Sequence, residues 1–547
     1  LSLRFLLLGV VLLAAVPLLY LGVTQFIEYD GYCYIFGAGQ DRWRNLILWY
    51  KQDPHPPLFY FLLRGAMQFG RSHLAYRAVS ILSGLGTIYL IGLAASKMMR
   101  SSLSPVLAAL AFGLALPTII VSTEVRAYML CTLFLMLSYC AFLDLLAREG
   151  AAGSLRTRIV FAAAAALACL SDYYAFFYVA AVLSVTALSY VLLSSGTRRN
   201  SAARDAATFA PVLGLMTWQY FSHARAHAVL QGHLLSFYYR GGENETLGAY
   251  FLRNLQNVFN LFSPWPVSDL LVFLAVLAGL LVAAGAVLWL LRPIAEPRNR
   301  AAWATVVATG LMLVQLMAGG ALGKYPFGGF LRQQFLLFPF LVLCAFLLPD
   351  RLARGIPRPA RFALAALLFL AILGVSYRRF DAYPKVKGPL FTEQMERYNR
   401  LFPSAAAVYV DRYNLITFFL HHDDWRWKFE GETSLAPHID IYRVSRGDRQ
   451  ILLFRDKARW LLDYQDATLY QDLKGCMLAR DLPAITVFRM AQAPCPPRDA
   501  AEIGAYRKKV VGLAAAAGLC FQQLAIHDCD VNAELRAGDC SGTEAVR

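Results

Sequence analysis

Charge is scarce in this chain. Asp, Glu, Lys and Arg make up 16% of its 547 residues, against roughly 25% in soluble domains. That shortage excludes an ordinary soluble globular protein. With 58% hydrophobic residues and a mean hydropathy of +0.46, it points to a polytopic α-helical membrane protein. Acids are scarcer than bases, 36 against 52, which gives a formal net charge of +16. In a soluble protein that excess would suggest nucleic acid. Here arginine collects in short loops, as the positive-inside rule requires, and no nucleic-acid partner is expected. No C-x-x-C pair occurs among the ten cysteines, which argues against a zinc knuckle. Internal repeats are absent too. The first apolar run lacks a small-x-small cleavage site and is too long for a signal-peptide h-region, so a retained membrane helix is expected there.

What is present is a series of about eleven apolar runs of roughly spanning length. They lie near 3–26, 74–97, 104–121, 127–146, 158–171, 173–194, 206–222, 268–291, 301–319, 331–349 and 361–377. The fifth is short, and its separation from the sixth rests on Ser171-Asp172-Tyr173. Lys97, Arg100, Arg148, Arg156, Arg198, Arg199, Arg204, Arg292, Arg298, Arg300, Arg351, Arg354 and Arg358 then all fall on one side. That side is expected to be the cytoplasm, with the N-terminus. The loop 27–73, the turn near 122–126, the segments 223–267 and 320–330 and the whole tail face outward. The localisation that follows is a multi-pass plasma (inner) membrane protein with a periplasmic or extracellular C-terminal domain.

The first outer loop mixes aromatic and basic residues at helical spacing over Ile35 to Tyr50, and Pro56 to Phe69 is amphipathic after a Pro-Pro start. Two interfacial helices are expected there. The tail is more polar. Ala405–Val410, Ile451–Phe454 and Ile485–Phe488 read as strands, and Thr392–Leu401 and Ile503–Gly518 as helices. The expected division is a transmembrane catalytic domain over 1–377 and a small α/β domain over 378–547. Cys476, Cys495, Cys520, Cys529 and Cys540 lie in this tail, where one or two disulfides are expected and the odd number leaves a thiol over.

Polar residues cluster at the outer ends of the spans. Glu28 and Asp30 follow the first span, and Lys51, Asp53 and His55 precede Pro56. Glu124, Arg126 and Tyr128 mark the turn after the third. Asp172, Tyr173 and Tyr174 follow the fifth, and Lys324, Tyr325 and Arg332 lie near the tenth. A carboxylate at a membrane boundary is costly to desolvate and marks function. Carboxylates can take a proton from an acceptor hydroxyl, and Arg and Lys can hold a phosphate. Each residue also has a plain structural reading. Arg126 and Arg332 snorkel at helix ends, Glu124 caps or pairs with Arg126, Asp30 caps a helix, and His55 shapes a turn.

The order of these features resembles the GT-C superfamily of membrane glycosyltransferases, in the branch of protein O-mannosyltransferases, lipid A aminoarabinose transferases and the related Rgt-like enzymes. His55-Pro56-Pro57-Leu58-Phe59-Tyr60 matches the family's HPPL-Y element, and Ser122-Thr123-Glu124-Val125-Arg126-Ala127-Tyr128 its S-x-E-x-R-x-Y element. Asp30, in Tyr29-Asp30-Gly31-Tyr32-Cys33-Tyr34, matches the catalytic aspartate. The second family acid is replaced by Gly31, with Glu28 on the other side. The H-Y-Y element is replaced by Asp172-Tyr173-Tyr174, and Arg332 to Pro339 echoes a late R-Y-x-x-x-x-x-P pattern with Gln333 for Tyr. The likeness covers about residues 1–350.

The resemblance implies a polyprenyl-phosphate-linked sugar as donor, a glycan, lipid or protein acceptor, membrane lipids as surroundings, and inversion at the anomeric carbon. It implies Asp30 as general base, with Glu28 and Glu124 beside it. Lys51, His55, Arg126 and Arg332 would surround the lipid phosphate, and Tyr32, Tyr60, Tyr128, Asp172 and Tyr173 would line the sugar or acceptor. A divalent metal near Asp30 and His55 is open, because some relatives bind one. Two other classes compete. A transporter or lipid flippase explains many spans but not the large outer tail or the motif-bearing first loop. A catalytically inactive GT-C-like assembly partner explains Gly31. Transfer of oligosaccharide to asparagine is disfavoured, because Asp423-Asp424-Trp425-Arg426-Trp427 does not match that branch's W-W-D motif.

Overall fold

The computed structural model describes residues 2–383, except 26, 28, 40–42, 44, 45, 48, 49, 51, 52, 54, 71, 148–154, 193–198, 226–236, 240–244, 293 and 295. Beyond 383 it describes five strands. The strands, residues 29, 30, 32, 33, 36, 192, 199–201 and 354 are described by their backbone alone. Two units divide the chain: residues 1–23 with 37–388, and residues 24–36 with 389–547.

The first unit is helical. Its outer-loop and early helices are α1 (Leu3–Thr24), α2 (Tyr29–Ala38, which begins in the second unit), α3 (Leu58–Ala66), α4 (His73–Met98), α5 (Ser104–Leu114) and α6 (Leu116–Thr123). There follow α7 (Tyr128–Ala147), α8 (Leu155–Ser171), α9 (Ala175–Leu192), α10 (Arg199–Gln219) and α11 (Leu247–Phe262). The last are α12 (Leu270–Leu290), α13 (Pro297–Ala321), α14 (Leu331–Gln334), α15 (Phe338–Leu352) and α16 (Arg358–Asp381). Each apolar run read from the sequence is helical, although 104–121 is divided between α5 and α6, and 331–349 among α14, a 3₁₀ turn and α15. Seven stretches among the described residues are long and apolar enough to cross a membrane, and the bent pair α5–α6 makes an eighth.

Two departures have local causes. The third run is not one rod: α5 and α6 meet at 57°, because Ala115 is extended and Pro117, at the start of α6, has no N–H to continue the ladder. The first interfacial helix lies earlier than Ile35–Tyr50. It starts at Tyr29, so Asp30 is inside it, and stops before Gly39, a residue that commonly follows a helix end. Residues 43, 46, 47 and 50 are helical as well. The second interfacial helix, α3 with a 3₁₀ turn at Met67–Phe69, lies where its Pro-Pro start places it. The break at Asp172 does separate α8 from α9.

Contacts sort the helix ends into two levels. At one, Lys97 pairs with Asp144 and Arg100 with Glu296. There the buried Asp350 accepts the backbone N–H groups of Arg100 at 3.0 Å and Ser101 at 2.9 Å. Arg300 donates to the Leu146 carbonyl and Arg351 to the Met98 carbonyl, both at 3.1 Å. These are residues of the arginine-rich loops. At the other level, the buried Arg77 donates to the Thr123 carbonyl at 2.6 Å and the Gly22 carbonyl at 2.9 Å. One guanidinium thereby satisfies the orphan carbonyls of two helix C-termini. Gly84 of α4 lets α6 approach closely, since a Cβ there would lie 2.4 Å from Ser122 Oγ. This second level carries the candidate site.

The strands of the second unit, β1 (Ala407–Asp411), β2 (Lys428–Ala436), β3 (Ile439–Arg446), β4 (Arg449–Asp456) and β5 (Val487–Arg489), form one mixed sheet in the order β2-β3-β4-β1-β5. β1 and β4 are parallel, with Tyr409 opposite Leu452, and the other pairs are antiparallel. β1, β4 and β5 coincide with the three strands read from sequence. The expected helices and the five tail cysteines lie outside the described residues.

Candidate active site

The loop before α3 is built by a short-range acid–histidine pair. Asp53 Oδ1 accepts the His55 backbone N–H at 2.9 Å and lies 2.8 Å from His55 Nδ1. A carboxylate only accepts, so Nδ1 carries a proton. His55 Nε2 faces the Tyr128 hydroxyl at 3.5 Å, with the two rings edge to face. Burial works against both charges, but each is the other's counterion. The His55 charge and its hydrogen bonds, helped by the Tyr60 hydroxyl, hold Asp53 below its ordinary value of 3.8. Burial and Arg332 oppose the charge on His55, yet Asp53 and, more weakly, Asp172 outweigh them and raise the imidazole above 6.5.

Asp172 closes the turn between α8 and α9, where its Oδ1 accepts the Tyr174 N–H at 3.0 Å. It is 6% exposed. Burial raises its carboxyl and nearby Asp53 adds to that, while His55, the Tyr174 N–H and Arg126 offset only part. Two neighbouring carboxyls are thus pushed in opposite directions, and a proton resides more readily on Asp172. Tyr174 ties this turn to α7. Its ring stacks on Tyr128 with centroids 6.0 Å apart, and its hydroxyl donates to the Tyr128 carbonyl at 2.5 Å.

Two guanidinium groups complete the electrostatics. Arg126, in the turn between α6 and α7, is 5% exposed, which is not the posture of a snorkelling side chain, and lies over the Tyr128 ring at 5.8 Å. The Ser80 hydroxyl holds its carbonyl at 3.2 Å. Arg332, in α14, lies over the Phe330 ring at 5.0 Å. Gly328, at a φ of +75°, shapes the loop ahead of it, and a Cβ there would collide with Asn254. Arg126, Arg332, Glu124 and Asp172 all act on Tyr128, and Asp172 and Arg332 act on His55. Residues from 44 apart (Tyr128 and Asp172) to 277 apart (His55 and Arg332) therefore share one electrostatic environment.

A second polar set adjoins it. The Tyr173 hydroxyl lies 2.5 Å from His223 Nδ1, and His223 Nε2 lies 3.1 Å from the Tyr50 carbonyl. The Tyr50 and His223 rings stack at 4.6 Å. His223 sits in a π-helical turn, Tyr220–Ala224, that ends α10. Sequence reading singled out neither His223 nor Tyr50. A histidine at the outer end of a polar-faced helix is a weak signal, and the Asp53-x-His55 spacing was the stronger one available for the pair itself.

The structure brings Asp53, His55, Tyr60, Glu124, Arg126, Tyr128, Asp172 and Arg332 into this environment, with Tyr173 bonded beside it. Asp30 and Tyr32 lie on α2, in the second unit, described by backbone alone. Glu28 and Lys51 lie outside the described residues. Of the two metal candidates, Asp30 and His55, only His55 is described with its side chain. No group of three or more His, Cys, Asp or Glu suited to a metal occurs among the described residues, and His55 directs Nδ1 at Asp53 and Nε2 at Tyr128.

No protein-family model matches the chain, and no curated protein does. Two solved structures are similar. ArnT from Cupriavidus metallidurans in the apo state shares 15% identity at a TM-score of 0.43, over 66% of this chain and 61% of that one. The same protein bound to undecaprenyl phosphate shares 16% identity at a TM-score of 0.42, over 70% of this chain and 72% of that one. The chain thus spans about 61% of the length of the first. Neither likeness bears on the chemistry, which rests on the side chains.

Proposed function

We propose that this chain is a membrane glycosyltransferase that moves a sugar from a polyprenyl-phosphate donor to an acceptor hydroxyl at the outer membrane face, with inversion. The observation that carries the reading is the His55 imidazole, its charge favoured by Asp53, in one electrostatic environment with the buried Arg126 and the partly exposed Arg332. Glycosyl transfer from a phosphate needs cations where the departing oxygen gains charge. An imidazolium held by Asp53 and two guanidinium groups supply that, with Lys51 adjoining in sequence.

In the reaction the acceptor oxygen forms a bond to the anomeric carbon as the bond from that carbon to the phosphate oxygen breaks. The acceptor proton passes to Asp30, with Glu28 as the other acid of the same segment. The electron pair leaves with the lipid phosphate. Glu124 orients Arg126 or lines the acceptor site. Asp172, raised by burial, is the carboxyl suited to donate a hydrogen bond to a sugar oxygen, and Tyr32, Tyr60, Tyr128 and Tyr173 line the sugar or acceptor. Many spans, an arginine-rich level and an acid-bearing level support an N-inside orientation with the site and the C-terminal domain outside.

The test is a purified-protein assay with several polyprenyl-phosphate sugars, reading release of free lipid phosphate. Release with one sugar that depends on an added acceptor supports the reading. Transport of lipid across vesicles with no release would replace it by the flippase reading.

A further inference from the structure

The turn that carries Asp53 and His55 hangs from one carbonyl. Tyr50 C=O accepts the Asp53 backbone N–H at 3.1 Å, and the same oxygen lies 3.1 Å from His223 Nε2. A carbonyl only accepts, so His223 Nε2 carries a proton and donates it. In the neutral ring that leaves Nδ1 to accept the Tyr173 hydroxyl at 2.5 Å. Tyr173 stands in the Asp172–Tyr174 turn, whose carboxylate faces His55 electrically. A continuous chain of hydrogen bonds thus runs from that turn, through His223, to Tyr50, Asp53 and His55. His223 is 5% exposed and stacks flat on Tyr50, 12° between the rings, so its direction is fixed by packing as well.

We infer that His223 is a positioning residue: its imidazole pins the first outer loop to the Asp172–Tyr174 turn and so sets the Asp53–His55 pair beside Arg332 and Asp172. It touches no reacting atom. Its effect on the loop is independent of what the site does; its effect on turnover rests on the transferase reading.

Hydrogen exchange of the full chain in nanodiscs tests the loop directly, at the amides of Asp53 and His55. His223→Ala should speed exchange at both roughly 3- to 30-fold, the cost of one or two lost hydrogen bonds, while the amides of α7 and α8 keep their protection. His223→Gln, whose side-chain amide can reach the Tyr50 carbonyl, should restore most of it. His223→Asn, too short to do so, should not. Tyr173→Phe, which removes one hydroxyl, should raise exchange at the same two amides even if His223→Ala loosens the whole bundle. Unchanged exchange in Tyr173→Phe and His223→Gln restoring no more than Asn would each overturn the inference. In the lipid-phosphate release assay, His223→Ala should lower kcat by about tenfold or more with donor KM altered less, and Gln should recover it. Normal kcat in His223→Ala alongside faster exchange would confine the pin to the loop and overturn its link to turnover. Absence of release by the parent protein would count against the transferase reading alone, since the exchange result stands without it.

Discussion

Asp53 and His55 are joined twice through a single carboxylate oxygen, which takes the His55 backbone N–H at 2.9 Å and faces its Nδ1 at 2.8 Å. The first bond fixes the turn and the second fixes the charge, so geometry and protonation of the histidine depend on one acid. Asp53→Asn separates the two. It keeps an oxygen for the backbone N–H and removes the counterion, so the His55 imidazole should titrate lower. Donor binding should weaken roughly tenfold at pH 7.5, and the loss should narrow as pH falls and the variant's ring regains its charge. Equal binding across pH in the two proteins would show that His55 does not hold the phosphate.

The same pair sets a stability window. The folded value of His55 is raised, so its contribution is complete below the ordinary 6.5 and is lost as pH rises through the raised value. Asp53 is lowered, so its contribution is complete above 3.8 and is lost as pH falls through the lowered value. Between the two the pair is intact. The difference in unfolding midpoint between the parent protein and Asp53→Asn should therefore be largest from about pH 4 to 6.5 and shrink on either side. A difference flat with pH would mean that Asp53 acts only through the turn.

Asp172 has the opposite sign. Its folded carboxyl is raised, so the stability linked to its proton is complete below 3.8 and lost as pH rises through the folded value. Asp172→Asn cannot ionise and still offers Oδ1 to the Tyr174 N–H. The variant should match the parent at acid pH and melt about 2–4 °C higher at pH 8. A lower midpoint at pH 8 would indicate that the ionised carboxylate is the stabilising form.

The parts of the site legible in sequence are the local ones. Asp53-x-His55-Pro-Pro, the Ser122–Tyr128 turn and the Asp172–Tyr174 turn each carry their own backbone chemistry within a few residues, and each is found as a loop at a helix end. The contacts between them were not legible, because packing of apolar helices leaves no trace in spacing. His223 lies 50 residues from Tyr173 and 173 from Tyr50. The bend at Ala115 lies inside an apolar run of spanning length, where Pro117 was the signal that sequence reading passed over. β2 was missed because Lys428–Ala436 holds few apolar residues, and β3 because its alternation at Ile439, Ile441 and Val444 is short and offers no continuous apolar run.

The arginine-rich level motivates an N-inside, C-outside orientation. A reporter fused after Arg547 should be active only when it requires the outer compartment. Activity in the cytoplasm alone would invert the topology and place the Asp53–His55 level inside.

Arg126 and Arg332 both act electrostatically on Tyr128, from the 124–127 turn and from α14. Arg126→Ala and Arg332→Ala should each weaken donor binding by about 1.5–3 kcal/mol, the typical worth of a charge-assisted hydrogen bond. Lysine at either position should recover part of it, since charge returns without the bidentate fork. Unchanged donor affinity in both alanine variants, with the fold intact, would move the phosphate elsewhere.

Asp30 carries the catalytic proposal. It is the second residue of α2, so a helix start fixes the direction of its backbone. A base at this place would accept the proton as the acceptor oxygen attacks the sugar, when the departing phosphate gains charge. Asp30→Asn keeps size and most hydrogen bonding but loses basicity, and a missing general base lowers rate by about 100- to 10,000-fold. Donor binding should survive, because the cations rather than this carboxylate hold the phosphate. Glu28→Gln should do less, being two residues away and outside the family position. The decisive measurement is turnover beside donor binding for both variants. An active Asp30→Asn with an inactive Glu28→Gln would assign the base to Glu28. Turnover intact in both would remove this segment from the chemistry and leave Asp172, the carboxyl that burial holds ready for a proton, as the next acid to replace.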